Sequence, residues 1–125
     1  MVIFTHIFNR MQQADFSWRS GSDQIKVHGR SGSRSIEPLA IIALVHGMGE
    51  HSGRYRRLAE FFTSHGFAII TYDQPGHGHT EGNRGHINHY NQLLDGVDEL
   101  LERATLRFRI NPFSYTDTAW AEMWL

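Results

Sequence analysis

A short loop rich in glycine and histidine is the feature of this sequence best suited to carrying out chemistry. The loop, "HGMG" at His46–Gly49, follows an apolar run and precedes a segment with helical spacing. Such a loop has little side-chain bulk, so its backbone N–H groups can approach a ligand, and the helix N-terminus behind it adds positive partial charge. Acyl transfer needs donors of this kind, because its tetrahedral intermediate carries an oxyanion. The alternative is that the glycines only form a tight turn, and these residues alone leave both interpretations open.

Strands are predicted on both sides of this loop. Alternating segments at Phe16–Trp18 and Ile25–His28 predict a β-hairpin, and the polar segment Gly29–Pro38 predicts a loop. "LAIIALV" (Leu39–Val45) and "FAIITY" (Phe67–Tyr72) are continuous apolar runs. Runs of this kind predict strands that are buried on both faces, as in parallel sheets.

A helix is predicted between the two apolar runs. Helical spacing extends from Arg54 to His65, with Ser52 as the predicted N-cap and Gly66 as the residue just past the C-terminus. Strand, helix and strand in this order form a βαβ unit, so the two strands are expected to be parallel. The apolar residues predicted to face the core are Tyr55, Leu58, Ala59, Phe61 and Phe62.

A second amphipathic helix is predicted after the glycine-rich loop Asp73–His86, and the fold class is therefore α/β. Its predicted apolar face carries Tyr90, Leu93, Leu94, Val97, Leu100, Leu101 and Ala104. Its acidic residues, Asp95, Asp98, Glu99 and Glu102, are predicted to form a solvated face.

The composition excludes several classes of protein. Twelve Lys and Arg against 13 Asp and Glu give a net charge of −1, which offers no electrostatic case for nucleic-acid binding. There is no cysteine, and no apolar run is long enough to span a bilayer. The start, Met1–Phe8, has neither a basic region nor a small-residue cleavage site, so we expect no secretory leader and a cytoplasmic location.

The nine histidines raise the possibility of a metal site. His77 and His79, with Asp73 nearby, have side chains that bind zinc, but they lie in a glycine-rich turn without a second cluster at metal-ligand spacing. We therefore expect these histidines to hydrogen-bond the loop backbone, and we expect neither a metal nor another cofactor.

Three longer strings give the loop a family context. "VHGMGEHSGRY" (Val45–Tyr55), "YDQPGHGHTEG" (Tyr72–Gly82) and "RGHI" (Arg84–Ile87) together resemble the N-terminal part of the monoacylglycerol lipase and lysophospholipase branch of the α/β-hydrolases. The resemblance covers about Phe16 to Phe108. It implies the N-terminal portion of an α/β-hydrolase sheet: a β-hairpin, then a parallel βαβ unit and a further helix. It also implies a serine hydrolase that acts on small-molecule or lipid esters.

The resemblance also implies roles for individual residues. The backbone N–H of Met48 would be an oxyanion donor, and His46 and Gly47 would shape the oxyanion hole. Pro75 and Thr80 depart from the family, which usually has Arg and Ser at these positions. The residues implied to be structural in the loops are Gly49, Glu50, His51, Asp73, Gly76, His77 and Gly78.

The catalytic triad of this fold is missing from the sequence. Its serine lies in a G-x-S-x-G elbow and is followed by Asp or Glu and then His, yet no G-x-S-x-G occurs in the 125 residues. No residue of the chain is therefore assigned a catalytic role, and we expect the chain to be inactive and truncated before the elbow. Two alternatives stay open: a proline-iminopeptidase-like peptidase fragment, and a non-catalytic fragment with no function of its own.

The C-terminal segment suggests why the elbow is missing. The codons of "RFRINPFSYTDTAWAEMWL" (Arg107–Leu125) can be read one frame over from Phe108. One allowed choice of third bases then gives an apolar strand followed by the elbow Gly-His-Ser-Met-Gly. We therefore expect an N-terminal extension at residues 1–15, a partial hydrolase domain at 16–108 and a frameshifted tail at 109–125.

Overall fold

The computed structural model describes residues 11–108, which form a mixed sheet of four strands with two α-helices. The predicted tail and most of the predicted N-terminal extension lie outside the described residues. The elements are β1 (Gln12–Ser20), β2 (Ile25–Ser33), β3 (Ile41–Val45), a 3₁₀ turn (Ser52–Tyr55), α1 (Arg56–Ser64), β4 (Ala68–Tyr72) and α2 (Asn91–Phe108).

The strand order in the sheet is β1-β2-β4-β3. β1 and β2 form the predicted antiparallel hairpin, and β2 pairs antiparallel with β4. β3 and β4 are parallel, with Val45 opposite Tyr72, so the predicted βαβ unit is confirmed. The predicted α/β class is confirmed as well.

The hydrophobic core lies between the sheet and α2. It consists of Trp18, Val27, Ile70, Tyr72, Leu100 and Ala104. A Cβ atom at Gly96 would lie only 2.7 Å from the Tyr72 hydroxyl oxygen, so α2 approaches β4 closely because this position is glycine.

The prediction of two fully buried strands is correct for β4 and wrong for β3. All five residues of β4 are buried, whereas Val45 in β3 is 42% exposed. β3 lies at the edge of the described sheet and has β4 on one side only. An apolar run predicts that a strand is buried, but the position of the strand in the sheet decides how much of its surface is buried.

The predicted loop Gly29–Pro38 is wrong in its first half, because β2 continues to Ser33. In this part of β2, Gly29 pairs with Phe16 and Tyr72, and Gly32 pairs with Ile69. The tertiary pairing with β4 therefore overrides the low strand propensity of Gly and Ser.

The first helix differs from its prediction at the N-terminus and in its buried face. Ser52 begins a 3₁₀ turn, and its side chain makes no capping hydrogen bond. Phe61, predicted to lie in the core, is 56% exposed. Gly66 has φ +88°, the left-handed conformation of a residue just past a helix C-terminus, so this part of the prediction is confirmed.

The second helix buries a narrower face than the sequence predicts. The buried positions are Gln92, Gly96, Leu100 and Ala104. Tyr90 precedes the helix and Leu94 is 47% exposed, so neither lies in the core. Glu99 is not part of a solvated face, because its Oε2 accepts a 2.6 Å hydrogen bond from the Trp18 indole N–H. No helix within residues 11–108 is long and apolar enough to cross a membrane.

Candidate functional site

Two loops carry all of the residues for which the sequence implied a role. The first loop, residues 46–51, follows β3, and the second loop, residues 73–86, follows β4. Because β3 and β4 are parallel neighbours, both loops begin at the same edge of the sheet. In open α/β sheets, ligands bind outside the carboxyl ends of the strands, so this edge is the candidate functional site.

His46 ties the first loop to the second. Its ring is buried, and Nε2 accepts a 2.9 Å hydrogen bond from the backbone N–H of Gln74. Nδ1, 2.8 Å from the Gly47 carbonyl oxygen, must therefore carry the proton and donate it. Burial lowers the pKa of His46, which favours this neutral form. The Gln74 side chain also donates to the His46 carbonyl and closes the link from the other side.

Two of three successive backbone amides in the first loop have hydrogen-bond partners. The N–H of Gly47 donates to Oε2 of Glu50 at 3.0 Å, and the N–H of Gly49 donates to Nε2 of His77 at 3.2 Å. Within residues 11–108, the N–H of Met48 between them has no acceptor. The Met48 side chain is 94% exposed. The first loop therefore presents one unpaired donor between two that are occupied.

The Glu50 carboxylate accepts three hydrogen bonds in and beside the first loop. Besides Gly47, it accepts hydrogen bonds from the Tyr55 hydroxyl and from the Arg54 guanidinium, the latter at 2.6 Å. The hydrogen bond from Tyr55 is the main cause that lowers the pKa of Glu50, so the carboxylate is ionised at neutral pH. His51, by contrast, is exposed and contributes a backbone carbonyl, which accepts the Arg54 N–H at 3.3 Å.

Asp73 is a buried carboxylate that organises the start of the second loop. Its Oδ1 accepts the backbone N–H of Ser52 at 2.7 Å, and its Oδ2 accepts that of His79 at 2.9 Å. Burial acts to raise the pKa of Asp73, but the hydrogen bonds from His79 and Ser52 outweigh it and hold the pKa below its usual value. Asp73 thus fixes the 3₁₀ turn against the second loop as an ionised group.

Two glycines of the second loop sit where no side chain fits. Gly76 has φ +74°, and a Cβ atom there would lie 2.3 Å from the carbonyl oxygen of Asn83. Gly78 has φ +49°, and its Cβ atom would lie 2.4 Å from Cγ of Asp73. Both positions combine a left-handed backbone with a close approach, and together they explain the spacing of "GHG".

We expect Gly76→Ala to destabilise the protein by about 2–5 kcal/mol, combining left-handed strain of about 1–2 kcal/mol with overpacking of about 1–3 kcal/mol. Gly85→Ala is the matched control, because Gly85 has φ +69° but open space around its Cα atom. Urea unfolding of both variants measures the difference. Equal losses of unfolding free energy would show that the close approach to Asn83 costs nothing.

Two residues of the second loop have contacts that the sequence did not assign. The Arg84 guanidinium donates to three carbonyl groups, those of Gly78 at 2.9 Å, Gly82 at 3.1 Å and Thr80. The hydroxyl of Thr80 donates to the Asp73 carbonyl at 2.6 Å. Threonine in place of the family's usual serine therefore keeps the hydroxyl that this contact needs. The only sequence signal for Arg84 was its place in the string "RGHI".

The predicted hydrogen bonds from the histidine rings to the loop backbone are present for His77. The His79 ring instead packs edge-on against the His28 ring, with centroids 5.1 Å apart. Nε2 of His77 accepts from Gly49, and Nδ1 lies 2.9 Å from the carbonyl oxygen of Pro75, so both ring nitrogens have partners. Within residues 11–108, no group of three His, Asp or Glu side chains is arranged to hold a metal ion. A zinc ion at His77 would have to displace one of these two hydrogen bonds.

The fold of the described residues resembles that of a solved carboxyl esterase. The chain superimposes on a highly thermostable carboxyl esterase from Bacillus coagulans with a TM-score of 0.70, over 82% of this chain and 35% of that one. The sequence identity of the pair is 24%, so the likeness concerns the fold alone. The described residues are a partial α/β-hydrolase fold.

Sequence comparison identifies the family and confirms the resemblance found in the loops. The sequence pattern of the serine aminopeptidase S33 family matches residues 36–115, and the chain belongs to this family. Phospholipase YtpA of Bacillus subtilis is 39% identical over 71 residues, 57% of this chain and 27% of that protein. The monoglyceride lipase of Homo sapiens is 39% identical over 60 residues, 48% of this chain and 20% of that protein. The chain thus spans about a quarter of the length of these relatives.

Proposed function

We propose that this chain is the N-terminal part of a serine hydrolase of the monoacylglycerol lipase and lysophospholipase type, which cleaves carboxylic esters of glycerolipids. The observation that carries the proposal is the unpaired N–H of Met48, held at the carboxyl end of β3 between two occupied amides. A phospholipase and a monoglyceride lipase among the relatives support this substrate class.

The proposed mechanism is acyl transfer through a serine that the 125 residues do not contain. The serine oxygen attacks the ester carbonyl while a histidine takes its proton, and the oxyanion that forms accepts the N–H of Met48. The histidine then returns the proton to the departing alcohol. Water hydrolyses the acyl-enzyme in the second half of the cycle. His46 and Gly47 keep the donor in place.

We further propose that the 125-residue chain alone is inactive and that its last residues, 109–125, arise from one base lost near the Phe108 codon. The hidden elbow Gly-His-Ser-Met-Gly in the neighbouring frame supports this proposal. Sequencing the gene around and beyond that codon tests it. We expect the neighbouring frame to continue into a hydrolase with an Asp and a His downstream, and a stop codon shortly after the elbow would contradict it.

Activity measurements test the function itself. We define the extended hydrolase as residues 1–108 followed by the sequence encoded in the neighbouring frame. We expect it to hydrolyse p-nitrophenyl esters and monoacylglycerols, and we expect Met1–Leu125 to hydrolyse neither. Ester turnover by Met1–Leu125 that a serine-directed phosphonate abolishes would refute the inactivity. An extended hydrolase that folds but cleaves no ester would refute the function.

A peptidase is the second candidate, because the family pattern that matches the chain is described as a serine aminopeptidase. The same oxyanion donor would serve amide hydrolysis, since both reactions pass through a tetrahedral intermediate. The ratio of kcat/KM for a monoacylglycerol to kcat/KM for an aminoacyl p-nitroanilide distinguishes the two. A ratio that favours the anilide would favour the peptidase.

A further inference from the structure

We propose that Glu50 and His77 are positioning residues, which hold the amides on either side of Met48 so that its N–H stays unpaired between them. This inference rests on the proposed function, in which that N–H serves as the oxyanion donor. The sequence implied only that Glu50 and His77 help to form the loops. The hydrogen bonds that Glu50 and His77 accept from the Gly47 and Gly49 amides extend this role.

Glu50 is itself held in place, which makes it suited to hold Gly47. The Tyr55 hydroxyl and the Arg54 guanidinium both donate to its carboxylate, and both belong to the 3₁₀ turn that follows the first loop. Glu50 thus connects the 3₁₀ turn to the Gly47 N–H, which donates to its Oε2 at 3.0 Å. A hydrogen bond to a carboxylate is stronger than one to a neutral acceptor, so the Gly47 peptide is fixed in orientation.

His77 provides the matching restraint on the other side of Met48. Gly49 has φ +75°, and no atom lies within 4 Å of where its Cβ atom would be. Gly49 lies in the turn that the Glu50 N–H closes on the Gly47 carbonyl at 3.2 Å, and its own N–H is held by Nε2 of His77 at 3.2 Å. Pro75 fixes the tautomer of His77, because its carbonyl oxygen lies 2.9 Å from Nδ1 and accepts a hydrogen bond from the N–H there.

This arrangement requires neutral His77. Protonation would place a second proton on Nε2, which would then face the N–H of Gly49 and could no longer accept from it. The His46 ring lies beside the His77 ring, with centroids 5.2 Å apart, and His46 interacts electrostatically with Asp73 and Glu50. Neutral His77 is therefore the form that can hold the Gly49 N–H.

Amide hydrogen exchange in the isotopically labelled full chain tests the inference without any need for activity. We expect the protection factors of Gly47 and Gly49 to exceed that of Met48 by about tenfold, the order of one hydrogen bond. Glu50→Ala is expected to abolish the protection of Gly47, and Glu50→Gln, which keeps an oxygen acceptor, to restore part of it. Equal protection at the three amides, including none at all, would overturn the proposal.

A second measurement isolates His77. In His77→Ala the exchange protection of the Gly49 amide is expected to disappear, and in His77→Gln, whose side-chain oxygen can accept this N–H, part of the protection is expected to return. His89→Ala is the matched control, because His89 is exposed and lies outside both loops. Protection of Gly49 that persists unchanged in His77→Ala would contradict the role of His77.

Kinetics of the extended hydrolase separate this inference from the proposed function. A displaced donor weakens transition-state stabilisation more than substrate binding. We therefore expect Glu50→Ala to lower kcat by up to about 100-fold with little change in KM, and Glu50→Gln to restore part of the loss. An active hydrolase whose kcat is unaffected by Glu50→Ala would overturn the positioning role alone. A wild-type extended hydrolase without activity would overturn the proposed function, while the exchange pattern would still decide the arrangement of the amides.

Discussion

Met48→Pro in the extended hydrolase is expected to lower kcat for a short-chain ester by about 10²–10³. Proline has no backbone N–H, so this change deletes the donor that the first loop leaves unpaired. Loss of one oxyanion donor has an effect of about this size, because the donor acts mainly on the charge of the transition state. Steady-state kinetics with a p-nitrophenyl ester measures it.

Met48→Ala is the matched comparison for this prediction. It truncates a side chain that is 94% exposed and keeps the N–H, so the ratio of the two kcat values isolates the backbone donor. Circular dichroism must show an intact fold in both variants, since proline also restricts the turn. Equal kcat values for Met48→Pro and Met48→Ala would rule out the role of this N–H.

Asp73→Ala is expected to lower the free energy of unfolding by about 2–6 kcal/mol. The change leaves two backbone donors, the N–H groups of Ser52 and His79, without their acceptor in a buried site, at a cost of about 1–3 kcal/mol each. Asp95→Ala, at an exposed position of α2, is the control for removing one acidic charge. Urea unfolding measures both variants, and equal losses would contradict the role assigned to Asp73.

The contribution of Asp73 is also expected to depend on pH. Because the folded-state pKa of Asp73 lies below the unfolded value, its ionised form stabilises the protein fully above the unfolded pKa of about 3.9. This contribution is lost as the pH falls through the folded-state pKa. The difference in unfolding free energy between the wild type and Asp73→Asn should therefore shrink below about pH 4, and a difference that stays constant there would contradict it.

The sequence predicted the secondary-structure elements correctly where the local residue pattern determines the structure. The apolar run of β4, the parallel orientation of β3 and β4 and the position of Gly66 just past the helix were all predicted from spacing and residue type. Prediction failed where a distant strand or helix decides. β2 extends through glycine and serine because β4 pairs with it, and Phe61 is exposed because the described elements leave its face of α1 uncovered.

The sequence by itself determined the α/β class, the family and the two loops of the candidate site, because strand runs, helical spacing and glycine-rich strings are local features. Only the tertiary structure decided which groups meet. Gly49 and His77 are 28 residues apart, as are His46 and Gln74, and the parallel register of β3 and β4 brings them together. Hydrogen bonds depend on angles and on fractions of an ångström, which residue spacing does not specify. For this reason the sequence indicated an oxyanion loop, and the structure identified the amide that stays unpaired.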